Sequence, residues 1–251
     1  MSAGPEEIIA RRETGFLPDG TYLFRDQLKI KGVVATAVVT CTGWLLEMYQ
    51  LKAGVLLFLR GKEEIRPAGK CFGVFYPPYA LVRPCFANAK GDLLGLAGTA
   101  PLPPGIDDGP FVFEASLPLE VRSITEIFAA GRNRQSIDAN PKASALSIKA
   151  RKLIVECYAD DPSIARIAQR LGVSNAHLSR QFRRDYRMSP REYLHQLRLA
   201  DAPLELARGE AISDISSDSG YGDLSRFYKQ FRKRTGTSPG FCRKIVSPRQ
   251  A

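Results

Sequence analysis

The sequence lacks the long apolar runs, clustered histidines and paired cysteines that mark several classes of protein. No stretch of its 251 residues approaches the ~18 to 20 apolar residues that span a bilayer, and the start has neither the basic nor the apolar region of a signal peptide. The two histidines are His177 and His195, which excludes a histidine-ligated metal site in the first 140 residues. The five cysteines include no C-x-x-C pair and are interpreted as buried thiols. We therefore expect a cytoplasmic protein with no membrane contact, no metal, no cofactor and no enzymatic activity.

The composition is that of a globular protein, with 44% hydrophobic and 25% charged residues. At ~100 to 200 residues per domain the chain can form two domains. Its positive charge is confined to one half: residues 141–251 hold 21 Lys and Arg against 11 Asp and Glu, whereas residues 1–140 hold 15 of each. This segregation favours a basic module that meets a polyanion, joined to a neutral module with another role.

The first half has the pattern of a β-rich domain. Short runs rich in apolar and β-branched residues are separated by Gly and Pro, and we predict strands at 33–40, 44–50, 55–60, 71–76 and 111–113. The last of these runs follows a turn that contains Gly109-Pro110. Several short strands at this spacing indicate a small barrel or sandwich.

At Leu119 the periodicity changes from two to about 3.6 residues. Val121, Ile124, Ile127 and Phe128 then fall on one face of a helix that Gly131 ends. Residues 131–146 have no apolar periodicity and read as a linker. The predicted organisation is therefore α+β: a β-rich domain over 1–130 that ends in a helix, the linker, and an all-α basic domain over 147–247.

The basic half contains an internal repeat with an offset of 48 to 49 residues. The matched positions include Ile164 with Ile212, Gly172 with Gly220, Phe182 with Phe231, and Ser189-Pro190 with Ser238-Pro239. A basic pair follows each of the two phenylalanines. One structural unit is therefore used twice.

Each unit has the signals of two helices joined by a tight turn. In the first, an apolar stripe over 164–171 precedes Gly172, which ends the helix, and Ser174 caps the next one. Leu178 and Phe182 hold this second helix to the core, which leaves a basic ridge on the opposite face: Arg180, Arg183 and Arg187. Such a connection is typical of a helix-turn-helix, whose second helix lies in the DNA major groove.

The second unit repeats this pattern. Ile212 and Ile215 pack the first helix of this unit against the core, Gly220 ends that helix and Asp223 caps the next one. We predict that the next helix packs through Leu224, Phe227 and Phe231 and exposes Arg226, Lys229 and Arg232. Because a basic ridge recurs at the same place in both units, DNA binding is favoured over a merely solvated helix face.

Residues 147–244 resemble the DNA-binding domain of the AraC/XylS family of bacterial transcription regulators. The resemblance is carried by Ile164-Ala165-Arg166-Ile167-Ala168, Leu171-Gly172-Val173-Ser174 and Leu178-Ser179-Arg180-Gln181-Phe182 in the first unit. In the second unit it is carried by Ile212-Ser213-Asp214-Ile215, Gly220-Tyr221, Phe227, Lys229, Phe231-Arg232-Lys233, Gly236, Ser238-Pro239 and Arg243. The resemblance implies an N-terminal β-barrel, cupin-like sensor domain and two helix-turn-helix units joined by a long helix.

The resemblance also implies which residues contact double-stranded DNA. Base contacts in one major groove fall on Asn175, Ala176, Ser179 and Arg180, and those in the next on Leu224, Ser225, Arg226 and Lys229. Arg can read guanine and Asn adenine, each good bidentate pair being worth ~1–3 kcal/mol. Phosphate contacts, which set affinity rather than sequence preference, are assigned to Ser174, Arg183, Arg184, Arg232 and Lys233.

The helix between the two units sets their separation. Residues 190–207 would span ~27 Å at 1.5 Å per residue, and with its flanks this approaches the ~34 Å between successive major-groove faces. Pro203 lies inside this helix, where it removes the hydrogen bond to the Leu199 carbonyl and should kink it. Cys242 stands where the family usually has an aromatic residue, and we expect a slightly shifted last helix that brings Phe241 to that place.

The resemblance implies a sequence-specific regulator, an activator that responds to a small-molecule effector. It further implies a homodimer formed through the helix at 119–130 and contact with RNA polymerase. Effector-site candidates in the first half are Trp44, Tyr76, Tyr79 and Arg83, because a rigid Tyr-Pro-Pro-Tyr corner sits near a basic residue. Three alternatives stay open: a cysteine sensor on Cys41, Cys71 and Cys85, an enzyme tethered to DNA, and a constitutive architectural DNA-binding protein whose first half only dimerises.

Overall fold

The computed structural model describes residues 6–17, 21–35, 37–60, 63–99, 101–104, 106, 109–116, 121, 123–137, 142–160, 162–235 and 238–246. Strands dominate the described chain up to Ser136, and helices make up most of it from Ala145 onward. This division confirms a sheet-rich first part and an all-helical second part. Of the helices described, none is long and apolar enough to cross a membrane.

The first part is built on one antiparallel sheet. Along its main path the strands lie in the order β1 (Glu6–Phe16), β2 (Tyr22–Lys31), β9 (Pro84–Gly98), β5 (Trp44–Arg60), β7 (Cys71–Tyr76), β10 (Phe111–Glu114) and β11 (Arg132–Ser136). Two short strands join it from the side, β3 (Val33–Ala35) on β9 and β6 (Glu63–Ile65) on β5. A separate pair is formed by β4 (Val38–Val39) and β8 (Leu81–Val82).

The predicted barrel is not confirmed, because the sheet does not close: β1 and β11 remain its two edges in the described chain. Closure is not needed to bury the sheet, since each face is covered by other elements. On one face, α1 (Ile124–Ala130) packs its buried residues Ile124, Ile127 and Phe128 against Leu46 and Phe75. The other face packs against the helical part of the chain. A cupin-like fold is likewise not established.

Strand β5 runs continuously through the two strands predicted at 44–50 and 55–60. The chain passes between them at Gly54, whose φ of +73° is a left-handed conformation that glycine adopts without a Cβ clash. The register with β9 shifts on both sides of Ala53, and Asn88 on β9 is also left-handed, with φ +47°. Gly54, which lies between the two predicted strands, therefore marks an irregularity inside one long strand pair.

Two further differences concern the segment after the sheet core. The described part of the helix predicted from Leu119 begins at Ile124, with Ser123 as its N-cap, and residues 117–120 lie outside the described chain. Its apolar residues face the sheet, so within the described residues it has no apolar stripe left for a second copy. In the predicted linker, Arg132–Ser136 form β11, where Arg134 lies over the Phe111 ring at 5.1 Å.

Eight helices are described in the second part. They are α2 (Ala145–Cys157), α3 (Ile164–Arg170), α4 (Asn175–Tyr186), α5 (Pro190–Ala200), α6 (Ala202–Ala207), α7 (Ile212–Asp218), α8 (Leu224–Thr235) and α9 (Pro239–Val246). A short 3-10 turn, Tyr158–Asp160, follows α2. Gly172 and Gly220 both take left-handed φ angles, +70° and +73°, as the two predicted helix ends require.

The helix between the units, which Pro203 was expected to kink, is broken into two. Helix α5 ends at Ala200, Asp201 is its C-cap, and α6 begins at Ala202 with Pro203 in its first turn, where the missing N–H costs nothing. The single helix expected over 190–207 is therefore two shorter ones. The last helix is not shifted: Cys242 takes the buried position, whereas Phe241 is 50% exposed.

The two parts share continuous cores. One core joins the sheet residues Phe24, Tyr49 and Phe86 to Phe227 and Phe231 of the second unit. A second core joins Val39, Cys41 and Leu81 to the first unit, including Leu178 and Phe182. Hydrogen bonds also cross the boundary. Among them, Thr42 Oγ1 donates to Asp201 Oδ2 (2.6 Å), Arg151 Nη2 to the Tyr79 carbonyl (2.6 Å) and Arg208 Nη2 to Thr99 Oγ1 (3.1 Å).

Candidate nucleic-acid interface

The first unit consists of α3, the turn at Gly172 and α4. The Ser174 Oγ accepts a hydrogen bond from the His177 backbone N–H at 3.1 Å, which is the predicted cap of α4. Leu178 and Phe182 are both fully buried and fix α4 against the core. One face of α4 is therefore anchored and the opposite face is free to meet another molecule.

The free face of α4 carries the residues predicted to read bases. Asn175, Ala176 and Arg180 are exposed, and the half-buried Ser179 donates its hydroxyl hydrogen to Asn175 Oδ1 at 3.4 Å. Ser174 and the basic pair Arg183 and Arg184, all predicted to bind phosphate, are also exposed. Arg187, placed on the ridge by periodicity, is instead the left-handed C-cap of α4 with φ +58°, so it lies beyond the helix face.

The second unit repeats this arrangement with α7, the turn at Gly220 and α8. Asp223 Oδ1 accepts a hydrogen bond from the Ser225 N–H at 2.9 Å, as expected of a cap. Phe227 and Phe231 are fully buried, and their ring centroids lie 5.7 Å apart. Both helices are thus positioned in the same way. Each has a side-chain cap at its N-terminus and two buried apolar residues that pack against the core.

The free face of α8 carries Ser225, Arg226, Lys229 and Arg232, all exposed. Leu224 is 47% exposed, so its predicted packing role is wrong. Tyr221 instead takes the neighbouring core position, with its ring 5.8 Å from that of Phe227. Exposure leaves Leu224 available to touch a base. The Lys233 side chain lies outside the described residues.

A groove of about 480 Å³ lies between the two units. It is lined by Asn175 of the first unit and Arg226 of the second. Arg191 of α5, the helix that follows the first unit, also lines it. Among the described lining residues there is no Asp or Glu. The surface that joins the two candidate reading helices is therefore positive, as a surface that follows a phosphate backbone must be.

Arg198 of α5 links the two units. Its side chain is buried at 7% exposure, and its Nε donates to the Tyr158 carbonyl at 3.0 Å. On the other side, a Cβ added to Gly220 would lie 2.1 Å from its Nη1, and the left-handed φ of +73° also favours glycine at this turn. The Ser219 hydroxyl donates to the Arg198 carbonyl at 3.0 Å. These contacts fix the turn of the second unit relative to α5.

Comparison with known proteins agrees with this geometry. Residues 167–245 match a family model described as "Helix-turn-helix domain". The Msm operon regulatory protein of Streptococcus mutans is 29% identical over 110 residues, which is 43% of this chain and 40% of that protein. The HTH-type transcriptional activator RhaS of Pectobacterium carotovorum is 30% identical over 83 residues, which is 33% of this chain and 30% of that protein. Residues 167–245 thus form a helix-turn-helix domain of the AraC type, called the AraC-type domain below.

The chain thus spans 40% or less of the length of these two curated relatives. The AraC-type domain also resembles a solved structure, the C-terminal domain of AraT, a response regulator from Geobacillus stearothermophilus. The identity is 25% and the TM-score 0.40, over 44% of this chain and 93% of that one. The similarity to the curated relatives covers less than half of this chain.

Between the sheet and the AraC-type domain lies a cleft of about 310 Å³. Of the four effector-site candidates, Trp44 lines it directly, and Tyr76 reaches it through a hydrogen bond from its hydroxyl to Glu47 Oε2 at 2.9 Å. Tyr79 packs instead on the core of the first unit, and Arg83 lies near Arg187. Burial lowers the pKa of Arg83, and the Arg187 charge lowers it further.

Two acidic residues of the cleft, Asp26 and Glu47, are not among the effector-site candidates predicted from the sequence. Both lie in strands. A charged residue at a strand position whose side chain points to the covered face of the sheet is the sequence signal that could have identified them. Asp26 stands in the alternating strand β2, whose even-numbered residues from Tyr22 to Leu28 are buried. Glu47 is the single charge among the apolar and aromatic residues of 44–49. Reading the parity of these strands would have placed both carboxyls on the covered face.

Of the three cysteines considered as a sensor, Cys41 is fully buried. Burial raises the pKa of the Cys41 thiol to about 12, so this group is protonated at neutral pH and a poor nucleophile. All five cysteines are free thiols. No group of three or more His, Cys, Asp or Glu that could hold a metal ion occurs in the described part of the chain.

Proposed function

We propose that this protein is a sequence-specific transcription regulator that binds two successive major grooves of double-stranded DNA. The observation that carries the proposal is the pair of capped helices, α4 and α8. Each presents an exposed face with Arg or Lys and is anchored from behind by buried residues. The faces stay exposed while the sheet is docked, so this arrangement of the chain leaves both available to DNA.

The base contacts we propose follow the chemistry of the exposed side chains. Arg180 and Arg226 have the planar donor pair that matches guanine in the major groove, and Asn175 can pair with adenine. Ala176 and Leu224 offer apolar contact to thymine methyl groups, while Ser179, Ser225 and Lys229 can bond several bases. The phosphate contacts we propose are made by Ser174, Arg183, Arg184, Arg232 and Lys233.

The groove between the units supports binding across adjacent turns. Helix α5 has 11 residues, about 16 Å at 1.5 Å per residue, which is shorter than one turn of DNA. The rest of the separation must come from the widths of the two units and from any bend in the DNA. Arg191, exposed on α5 beside the groove, is placed to hold the intervening backbone.

Hydroxyl-radical footprinting of the full chain on a bound duplex tests this geometry. We expect two protected patches about 10 base pairs apart on one face of the DNA. The Arg226→Ala variant should weaken protection in one patch and leave the other protected. A single patch for the unaltered chain would contradict the proposal that one chain occupies two grooves.

We further propose that DNA binding responds to a small-molecule effector, and that the protein acts as an activator in contact with RNA polymerase. The supporting observation is that the cleft has one wall from the sheet and another from the AraC-type domain, including Asp201, Leu204 and Cys242. A molecule in the cleft can alter how the domain sits on the sheet only if it binds one arrangement better than the other.

A further inference from the structure

The two helix-turn-helix units are joined through a break at Asp201. Helix α5 follows the first unit, α6 leads into the second, and Asp201 lies between them. The Asp201 carbonyl starts α6 by accepting the backbone N–H groups of Leu204 and Glu205, at 2.8 and 3.0 Å. Because Pro203 has no N–H to donate, no continuous helix fixes the angle between α5 and α6. Arg198 holds the turn of the second unit to α5, and a second point of attachment is needed to set the rotation about that contact.

The side chain of Asp201 bonds to the sheet-rich part of the chain and not to α6. An Asp at the N-cap position commonly accepts a hydrogen bond from the first N–H groups of its own helix, but Asp201 makes no such bond. Its Oδ2 instead accepts from both the backbone N–H and the hydroxyl of Thr42, at 3.1 and 2.6 Å. Hydrogen bonds to a carboxylate are stronger than those between neutral groups. The carboxylate therefore joins the break to the sheet-rich part.

Thr42 lies at a matching junction in the sheet-rich part. Before it, Val39 of β4 and Cys41 belong to the core shared with the first helix-turn-helix unit. After it, Leu45 and Tyr49 of β5 pack in the core shared with the second unit. Thr42 thus lies where the chain passes from one docking surface to the other. It bonds to the residue at which the helical half makes the same passage.

Helix α6 lies directly against the start of β5. A Cβ added to Gly43 would lie 3.0 Å from Leu204 Cδ1 and 2.9 Å from the Gly98 carbonyl oxygen. Just beyond the other end of α6, Arg208 Nη2 donates to Thr99 Oγ1 at 3.1 Å. The sheet-rich part therefore contacts this connection along its whole length, and only the Thr42 contact lies at the break itself.

We propose that Asp201 is a positioning residue for DNA recognition: its bonds to Thr42 fix the angle between α5 and α6, and so the spacing of the two DNA blocks that one chain accepts. The proposal rests on the two-groove binding proposed above and adds the residue that sets its geometry. One base pair inserted between the blocks moves the second block by about 3.4 Å along the DNA and by roughly 35° around it. A rigid pair of units cannot follow this change, whereas a pair with a loose joint can.

Binding to duplexes of altered spacing tests this role on the full chain. The duplexes carry the two sequence blocks that the chain selects from random DNA, at the preferred spacing or with one base pair added or removed between them. We expect the unaltered chain to bind the preferred spacing at least about tenfold more tightly than either neighbour. The readout is this ratio of affinities, because a loss of folded protein or a change in net charge affects all three duplexes alike.

Four variants locate the effect. Asp201→Ala removes both bonds, and Thr42→Val removes the hydroxyl bond without changing the charge. Both should reduce the preference to about threefold or less. Thr42→Ser keeps the hydroxyl and should keep the preference. Thr99→Val is the matched control, because it removes the hydroxyl that Arg208 contacts beyond the far end of α6. This variant should keep the full preference.

A distance measurement without DNA examines the joint itself. Spin labels are attached to non-natural amino acids at Gln169 of α3 and Ser217 of α7, which are exposed and occupy equivalent positions in the two units. The unaltered chain and Thr99→Val should each give one narrow distribution of distances. Asp201→Ala should give a broader distribution, since the angle between α5 and α6 is then free to vary.

An unchanged spacing preference in Asp201→Ala would overturn the proposal, and so would an unchanged distance distribution. An equal loss of preference in Thr99→Val would also overturn it, because any contact across the boundary would then have the same effect. Failure of the proposed regulatory function gives a different result: the unaltered chain would select no pair of blocks. Selection of two blocks with a spacing preference that the variants leave intact contradicts the role of Asp201 alone.

Discussion

Replacing Phe231 with Ala is expected to lower the free energy of unfolding by ~3–5 kcal/mol. Phe231 is fully buried in the core that α8 shares with the sheet, and it packs against Phe227. Removing its ring opens a cavity that rigid neighbours on both sides cannot fill. The change is measured as a shift of the urea midpoint by circular dichroism, with the slope of the transition unchanged.

Phe241→Ala is the matched control. This residue is only ten positions further along the chain, yet it is 50% exposed on α9 because Cys242 takes the buried position. Its replacement should change the free energy of unfolding by no more than about 0.5 kcal/mol. Similar losses for the two variants would show that the last helix sits in the shifted register and would contradict the placement of Cys242 in the core.

Replacing Arg180 with Ala should cost ~1–3 kcal/mol in binding to the preferred DNA site and should relax the sequence preference at one position. The reason is that Arg180 lies on the exposed face of α4, opposite the buried Leu178 and Phe182, where its guanidinium can form a bidentate contact to guanine. Binding is measured by titration of the preferred duplex and of a random duplex at one fixed salt concentration.

Arg183→Ala provides the contrast, since Arg183 is exposed one helical turn away and is assigned to a phosphate. This variant should weaken binding to both duplexes by a similar factor and should reduce the slope of log affinity against log salt by about one. Equal losses on preferred and random DNA for Arg180→Ala would remove Arg180 from the base-reading set.

The helical half was largely predictable because its signals are local. A glycine at a left-handed turn, a capping Ser or Asp and apolar residues four apart specify each unit within about 20 residues, and both turns and both caps are found where expected. The break at Pro203 is local in the same way. Leu224 was misassigned because periodicity alone does not show how far the core extends along the first turn of α8.

The sheet was less predictable because its pairing is long-range. Gly54 looks like a turn in the sequence, but the partner strand β9, more than 30 residues away, keeps β5 continuous through it. Strand β11 has no apolar residues at all, so its sequence predicts a linker. Its pairing with β10 and the stacking of Arg134 on Phe111 cannot be inferred from composition.

The cleft, too, was only partly predictable from the sequence. Strand parity would have indicated Asp26 and Glu47, since each is an acid at a covered position. The docking of the AraC-type domain decides which part of the sheet becomes a cavity wall, and no local signal contains that information. Tyr79 and Arg83 were therefore grouped with Trp44 and Tyr76 by their closeness in the chain, whereas the structure places them against the first helix-turn-helix unit.

Selection of bound sequences from random duplex DNA by the full chain tests the central claim most directly, namely that two duplicated helix pairs read DNA together. The expected result is an enriched motif with two short conserved blocks about 10 base pairs apart, bound at least ~10³-fold more tightly than random DNA. Recovery of no shared motif, with equal affinity for the selected and starting pools, would contradict the account.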